Sequence, residues 1–162
     1  MSGHETSAET GPGPDSAPAP DLGVLVSQLF RAVQDELWRA LAEQGFADLG
    51  PRHGSVLAYL SPDGVRSTEL ARRCGQHKQI VGTVVDELEA LGYVVRRPDP
   101  ADRRAKLVVP TERGLAEIDT ARRIIRDVEN RHAEALGRDD YARFKAALRV
   151  VTRQQRQAAG HE

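Results

Sequence analysis

Apolar residues recur at three- and four-residue spacings along most of the chain, and this periodicity predicts a mainly α-helical protein. The first pattern places apolar side chains at Leu25, Leu29, Val33, Leu37 and Leu41. It predicts a helix of about five turns with a wide apolar stripe. One small domain would struggle to cover that stripe, which favours a partner along part of it.

Three shorter helical segments follow the first one. "LGPRHGSVLAYL" (49–60) has Pro51 where a helix begins, and the following "SPDG" predicts a turn. "STELARRCG" (67–75) has Ser67 as its expected N-cap and Gly75 as its end. "HKQIVGTVVDELEALG" (77–92) is expected to bury its valines and leucines and to stop at Gly92.

The remaining patterns predict a β-hairpin and two more helices. Two short strands are expected at Tyr93–Arg97 and Ala105–Pro110, with a cationic segment between them. Thr111 is a suitable cap for a fifth helix. "GRDD" (137–140) predicts a break before a last helix. The apolar stripe of the fifth helix is predicted at Leu115, Ile118, Ile125, Val128, His132 and Leu136, and that of the last at Tyr141, Phe144, Leu148 and Val151.

Charge is unevenly distributed along the 162 residues, although the formal net charge is only -1. Residues 1–21 contain four acidic residues, no Lys or Arg, and much Gly, Pro and Ser, so they are expected to form a disordered tail. Residues 66–111 contain nine Lys or Arg and six Asp or Glu. The acidic residues of the tail therefore offset the excess of basic residues at 66–111, and that segment can still attract an anionic partner.

Several classes of protein are disfavoured by what the sequence lacks. The single cysteine, Cys74, rules out an intrachain disulfide framework and fits a reducing, cytoplasmic location. No apolar run approaches the roughly 18–20 residues that span a membrane, and no signal peptide is recognisable. Glu129 and His132 are one turn apart but have no obvious third metal ligand. Without a phosphate-binding loop or a nucleophile elbow, we expect neither enzyme activity nor a cofactor.

The order of elements around the cationic segment is that of a winged helix-turn-helix. In that geometry the second helix enters the DNA major groove, and the hairpin loop, here "RRPDPADRRAK" (96–106), can present Arg to phosphates or to a narrow minor groove. Asp99 and Asp102 are expected to pair with a neighbouring Arg and orient it. A solvated hairpin tip is the alternative, but the preceding helix pair favours DNA contact.

These residues also carry a resemblance to a known family. "TELARRCGQHKQIVGTVVDELEALGYVVRRPDPADRRAKLVVPTERG" resembles the DNA-binding lobe of the MarR family of bacterial transcription regulators. The most specific part is "GYVVRRPDPADRRAKLVVPTERG", which is similar to the family's wing signature of paired basic residues, a proline turn and Asp-Arg-Arg. The order of helices along residues 22–157 is similar as well.

The resemblance implies a fold and an assembly. It predicts a winged helix-turn-helix lobe at about 51–111 within a domain spanning 22–162, with dimerisation helices at about 22–45 and 112–158. It implies a homodimer whose first and last helices form the interface and whose two lobes bind a palindrome in double-stranded DNA. The wide apolar stripes agree with this, although the two helices packing on each other within one chain is the alternative.

Base and backbone contacts are expected from the second helix of the motif. With the valines inward, Gln79, Gly82 and Thr83 lie on the far face, where Gln can bond adenine and Thr can contact a thymine methyl. Lys78 is expected to meet a phosphate, and Gly82 to allow close approach to the groove. At His77 the family usually has Ser or Thr as N-cap, so His77 is expected to cap this helix only weakly. It is also a candidate for DNA contact, where protonation of the imidazole would make the affinity pH-dependent.

The wing and the preceding helix supply further candidates for DNA contact. One of Arg103 and Arg104 is expected to enter the minor groove while the other pairs with Asp102, and Arg97 and Lys106 are expected to contact the backbone. Ser67 and Thr68 could also reach a phosphate, although a simple capping role is equally plausible for them.

The resemblance also implies a small-molecule pocket between the dimer helices and the lobe, often for aromatic or phenolic acids. Trp38, Arg52, His53 and Tyr59 are candidates to line it, and ordinary packing or solvation is the alternative for each. Some relatives sense oxidants through a cysteine near the start of the first helix. Cys74 instead ends a short helix, where a small buried side chain is expected.

The leading hypothesis is therefore a dimeric, ligand-responsive repressor that binds a pseudo-palindromic operator. A winged-helix module for protein interaction and an architectural DNA binder without an effector are the other two hypotheses.

Overall fold

The computed structural model describes residues 19–160, apart from the side chain of Arg103. Most of the tail expected at residues 1–21 lies outside this range. Asp21, which was assigned to that tail, instead caps the first helix, because its side chain accepts a hydrogen bond from the Val24 backbone N–H at 2.9 Å. Helix α1 therefore begins at the point where the Pro-rich segment ends.

Six helices and three strands make up the described chain. In order they are α1 Leu22–Leu41, α2 Pro51–Leu57, β1 Val65–Arg66, α3 Ser67–Cys74, α4 Lys78–Ala90, β2 Val94–Asp99, β3 Asp102–Pro110, α5 Glu112–Leu136 and α6 Arg138–Ala158. A π-helical turn, Ala42–Phe46, follows α1 and is broken at Gly45, where φ is 95°. The predicted fold class, mainly α with a small antiparallel β wing, is confirmed.

Local signals explain where most of these helices begin and end. Thr111 caps α5 by accepting the Gly114 N–H at 3.1 Å, as predicted. Gly75 and Gly92 adopt positive φ angles of 64° and 79° after α3 and α4, and Gly137 separates α5 from α6. The ends at Gly75 and Gly92 were correctly predicted, because caps act over three or four residues. The break predicted at 137–140 is confined to Gly137, since α6 already begins at Arg138.

The sheet contains one strand more than predicted. β1 pairs antiparallel with β3, β3 pairs with β2, and the strand order is β1-β3-β2. Val65 lies opposite Val108 and Arg66 opposite Leu107. A strand of two residues has no recognisable periodicity, and only its distant partner makes it a strand. β2 and β3 are also longer than predicted and leave a turn of only Pro100 and Ala101 between them.

The main hydrophobic core lies in the lobe formed by α2, α3, α4 and the sheet. Its buried residues include the predicted inward face of α4, with Val81, Val84, Val85 and Leu88 at 4 % exposure or less. Ile118 joins this core from α5. A second, smaller cluster of Leu37, Leu41 and Ile124 joins α1 to α5. α5 thus packs against the lobe near its N-terminal end and against α1 further along.

The predicted stripes of the long helices required correction. On α5, Ile118 and Val128 are buried, but Leu115 and Leu136 are exposed, while Ile124 and Glu117 are buried without having been predicted. The positions of α5 that are buried within one chain follow a helical phase that includes polar residues, so the apolar stripe and the buried face coincide only in part.

Candidate nucleic-acid interface and cavity

The outward face of α4 is polar and open. His77, Lys78, Gln79 and Thr83 are exposed, and a Cβ added at Gly82 would meet no atom within 4 Å. The Thr83 hydroxyl donates to the Gln79 carbonyl at 3.2 Å, which leaves the Thr83 methyl group as the part that an external apolar group can contact. The structure therefore brings together the α4 residues that the sequence singled out.

Sequence reasoning missed one exposed apolar residue on this helix. Ile80 is 50 % exposed, although it lies between the polar Gln79 and the fully buried Val81. A helical wheel contains the signal, because Ile80 falls about 100° from Val81 and outside the arc of the buried residues. Its aliphatic side chain can contact a thymine methyl or a sugar.

The start of α4 was predicted correctly, whereas the start of α3 was not. α4 begins at Lys78 with His77 at the N-cap, and the His77 side chain makes no capping hydrogen bond. The prediction that Ser67 caps α3 is wrong. Arg66 occupies the N-cap position and Ser67 is the first helical residue, because pairing of Arg66 with β3 holds it in an extended conformation. Ser67 is half-buried and Thr68 is exposed.

The wing presents cations along its strands rather than on a long loop. Arg97 lies opposite Leu107, and Lys106 lies opposite Pro98. Arg97, Arg104 and Lys106 are exposed, and within residues 19–160 none of the three forms an ion pair. Arg103 lies in the same strand, and its predicted pairing falls outside the described side chains. The exposed cations are therefore available to an external anion.

Asp99 has a different partner from the one expected. It does not orient an Arg of the wing but is itself buried at 7 % exposure, and its Oδ2 accepts hydrogen bonds from Arg66 Nε at 2.6 Å and pairs with Nη2 at 2.5 Å. Its Oδ1 accepts the Ala101 N–H at 2.8 Å. The Ala101 N–H and then the Arg66 guanidinium lower the pKa of Asp99. This contact ties the tip of the wing to the start of α3.

Asp102 and Arg96 hold the wing in other ways. Asp102 Oδ1 accepts the backbone N–H of Arg104 at 3.1 Å, and its Oδ2 lies 3.9 Å from Arg66 Nη2. Arg96 is half-buried and forms ion pairs with Asp86, at 2.5 Å, and with Glu89 on α4. The wing signature contains two adjacent basic residues, Arg96 and Arg97. Arg96 therefore holds the wing against α4, whereas Arg97 is exposed.

A separate cavity of about 370 Å³ lies between α1, α2 and α5. Its lining is mostly apolar and comprises Leu37, Trp38, Gly54, Leu57, Ala58, Glu117, Ile118, Ala121, Arg122, Ile125 and Arg126. The Trp38 indole N–H donates to Gln34 at 2.8 Å, and its ring covers Gly54 so closely that a Cβ there would lie 2.7 Å from it. Gly54 therefore allows the Trp38 ring to form one wall.

Of the four predicted pocket residues, only Trp38 lines this cavity. Tyr59 is exposed. His53 is buried, and its Nδ1 accepts the Gly50 N–H at 3.0 Å, which places the ring proton on Nε2 facing Glu87 Oε2 at 3.1 Å. Arg52 Nε lies 3.1 Å from the same carboxylate. Arg52 and His53 therefore connect α2 to α4 instead of lining the cavity.

Glu117 is the acidic residue of the cavity wall, and the sequence analysis missed it. It is 2 % exposed, and its Oε2 has no hydrogen-bond partner among the described residues. Burial raises its pKa to about 7. The available signal was its helical phase, since it lies three and four residues from Gly114 and Ala121 on the buried side of α5.

Other candidate chemistry has a structural explanation. The Cys74 thiol donates to the Ser55 carbonyl at 2.9 Å, and burial raises its pKa. Within residues 19–160, no group of three His, Cys, Asp or Glu side chains is placed to hold a metal ion. No helix in the same range is long and apolar enough to cross a membrane.

The fold, the polar outward face of α4 and the exposed cations of the wing together define a winged helix-turn-helix protein. A model of the MarR family matches residues 47–105. The structure is similar to CouR from Rhodococcus jostii RHA1 bound to p-coumaroyl-CoA, at 31% identity over 81% of this chain and 91% of that chain, with a TM-score of 0.67. A MarR family regulator from Rhodococcus sp. RHA1 is 29% identical over 80% and 92% of the two chains, with a TM-score of 0.65.

A further similar structure is the repressor CouR bound to a 23-mer DNA duplex, which is 28% identical over 81% of this chain and 92% of that chain, with a TM-score of 0.67. A search of curated protein sequences finds no match. The chain belongs to the MarR family. It is accordingly a DNA-binding transcription regulator and not an enzyme.

Proposed function

We propose that this regulator is a homodimeric repressor that binds a pseudo-palindromic operator and is released by a small organic effector. The observation that carries the DNA-binding part is the combination, on one lobe, of an open polar face on α4 with exposed wing cations. Those cations, Arg97, Arg104 and Lys106, form no ion pair within residues 19–160. The similar CouR structure bound to a DNA duplex supports this assignment.

Different side chains would have different roles at the operator. Gln79, Ile80 and Thr83 would contact base edges and thymine methyl groups in the major groove. Lys78, Arg97 and Lys106 would contact phosphates, which fixes position without specifying sequence. Arg103 or Arg104 would enter the minor groove, and Ser67 and Thr68 could bond phosphates near the start of α3.

Exposed apolar surface on the terminal helices supports the proposed dimer. α1 buries only Leu37 and Leu41 near its C-terminal end, while Leu25, Leu29 and Phe30 are between 43% and 63% exposed. α6 buries none of its residues, and its Phe144, Leu148, Val150 and Val151 are exposed. Several exposed apolar side chains on one helix are typical of a protein–protein interface. The two lobes of a dimer would then bind half-sites about 10 base pairs apart.

The cavity supports an effector that acts on α4 through α2. Trp38 packs on Gly54 at the cavity wall, and the neighbouring His53 joins α2 to Glu87 of α4. An effector that moves Trp38 or α2 would therefore shift the recognition helix, and DNA affinity would fall by thermodynamic linkage. CouR bound to p-coumaroyl-CoA makes a phenolic acid or its thioester the first class to test.

Fluorescence anisotropy with DNA from upstream of the protein's own gene tests the proposal, with a scrambled duplex as control. We expect tight, selective binding that weakens steeply with salt, because cationic side chains displace counterions from phosphates. Arg104→Ala should weaken binding, whereas Arg122→Ala on α5, a matched change of an exposed Arg outside the lobe, should not. Equal, weak binding to both duplexes would contradict operator binding and favour a protein partner for the lobe.

A further inference from the structure

We propose that Glu117 is the polar recognition group of the cavity and that it acts as a neutral carboxylic acid. It would hydrogen-bond an uncharged oxygen at the buried end of an amphipathic organic acid, whose ionised group would lie beside Arg122 and Arg126. This inference rests on the proposed effector response and adds the chemical class of the effector, its orientation and its dependence on protons.

The unsatisfied carboxyl oxygen is the first argument. Glu117 Oε2 is buried against an apolar lining and has no hydrogen-bond partner within the described part of the chain. Buried polar atoms in folded proteins are nearly always hydrogen-bonded, so one without a partner needs an explanation. A hydroxyl or carbonyl oxygen of a bound molecule would supply the missing partner, while the surrounding apolar side chains would contact its hydrocarbon part.

The distribution of charge around the cavity is the second argument. Arg122 and Arg126 are exposed lining residues, so they would attract an anionic group at the outer side. Arg122 lies 3.7 Å from Asp119, whereas Arg126 has no ion pair among residues 19–160. Glu117 is deeply buried, and a negative charge placed beside it would lose its hydration in a mostly apolar lining. A cavity of about 370 Å³ suits one aromatic ring with a short side chain.

Proton linkage follows from the position of Glu117. Because burial raises its pKa to about 7, the neutral form predominates below neutral pH. If the bound molecule requires that form, its affinity is highest below about pH 7 and falls as pH rises, by up to about tenfold per pH unit. Two other titratable groups, Tyr93 and His53, lie on the elements near Glu117. The Tyr93 hydroxyl is bonded to Asp48, and His53 on α2 is bonded to Gly50 and Glu87.

Isothermal titration calorimetry of the full chain with two probes, 4-hydroxycinnamate and cinnamate, tests the inference at pH 6 and pH 8. The two probes differ only in the oxygen that Glu117 would bond. Measurement in two buffers of different ionisation enthalpy reports proton uptake directly. The variants are Glu117→Gln, which mimics the neutral acid, Glu117→Leu, which removes the polar group, and His53→Gln, which removes the imidazole of α2 as a control.

We expect wild type to bind 4-hydroxycinnamate about tenfold or more tightly than cinnamate at pH 6, and to lose up to about tenfold of that affinity at pH 8 with uptake of a proton. Glu117→Gln should bind equally at both pH values without proton uptake. Glu117→Leu should not distinguish the probes, and thermal unfolding would verify that both variants fold. His53→Gln should keep the pH dependence of wild type.

Three results would overturn the inference. They are equal binding of the two probes by wild type, pH dependence that persists in Glu117→Gln, and loss of pH dependence in His53→Gln alone. Failure of wild type to bind either probe is a fourth result that would overturn the inference. The anisotropy assay measures operator binding independently. Failure of both probes to bind would therefore not contradict the proposed DNA binding.

Discussion

Two helical glycines, Gly114 in α5 and Gly82 in α4, have opposite surroundings, and they show how much one methyl group matters. Gly114 lies in the first turn of α5, where an added Cβ would be 2.1 Å from the backbone oxygen of Tyr93. That oxygen also accepts the Thr111 N–H at 2.9 Å, and the Tyr93 side chain is fully buried. The start of α5 can therefore pack on the backbone of Tyr93, between α4 and β2, only because residue 114 has no side chain.

Gly114→Ala should destabilise the fold by about 1–3 kcal/mol, because the new methyl group forces α5 away from the Tyr93 backbone. Urea denaturation monitored by circular dichroism measures this change. Gly82→Ala is the matched control. Its Cβ would meet nothing within 4 Å, so the substitution should stabilise α4 by up to about 1 kcal/mol.

The control has a second readout. Gly82 lies on the face of α4 proposed to approach DNA, so Gly82→Ala should weaken operator binding while it stabilises the fold. Unchanged affinity would show that α4 does not approach the groove closely at this position. A Gly114→Ala variant as stable as wild type would show that the contact with Tyr93 can relax.

At the level of elements, the orientation of the wing depends on a contact outside the hairpin. β2 and β3 form the wing, but their tip is held by Asp99 to Arg66, which ends β1 and precedes α3. Since the pKa of Asp99 is lowered, the carboxylate is ionised at neutral pH. Its stabilising contribution is present above the ordinary pKa of Asp and is lost as pH falls through the lowered value.

Asp99→Asn should weaken operator binding about three- to tenfold, because a looser wing must be ordered when DNA binds. Anisotropy measures the affinity, and hydrogen exchange at the Ala101 amide measures the mobility of the tip. Asp140→Asn removes an Asp–Arg pair within α6 and should change neither. Faster exchange in Asp99→Asn with unchanged affinity would show that the wing does not need this tie.

At the level of the whole molecule, the two long terminal helices are poorly covered by the rest of the chain. The apolar residues on the first half of α1 and along α6 contribute little to the core of one protomer. Their burial against a second copy would account for their apolar character. The stability of each protomer would then depend on protein concentration.

Phe30→Glu should convert the proposed dimer to a monomer, because Phe30 is 63% exposed in the single chain and a buried Glu would be costly at an interface. Light scattering after size exclusion measures the mass, and we expect operator affinity to fall because one lobe binds only one half-site. Tyr59→Glu makes the same kind of change at an exposed aromatic residue outside the terminal helices and should leave the mass unchanged. A dimeric Phe30→Glu variant would contradict an interface at this part of α1.

The sequence by itself determined the helices, the two wing strands and most of their limits. Periodicity predicted the helices, Thr111 was correctly predicted as a cap, and Gly75 and Gly92 were correctly predicted as stops. These signals act between residues three or four positions apart, so they are readable along the chain. The wing signature also identified the family that the comparisons then showed.

Only the tertiary structure decided which side chains are buried and what they contact. It paired Arg66 with Asp99, made Val65–Arg66 a strand, and placed the Glu117 carboxyl in an apolar cavity. Arg66 and Asp99 are 33 residues apart in sequence. Such contacts depend on how whole elements pack, and helix and strand patterns do not specify that packing because they describe each element alone.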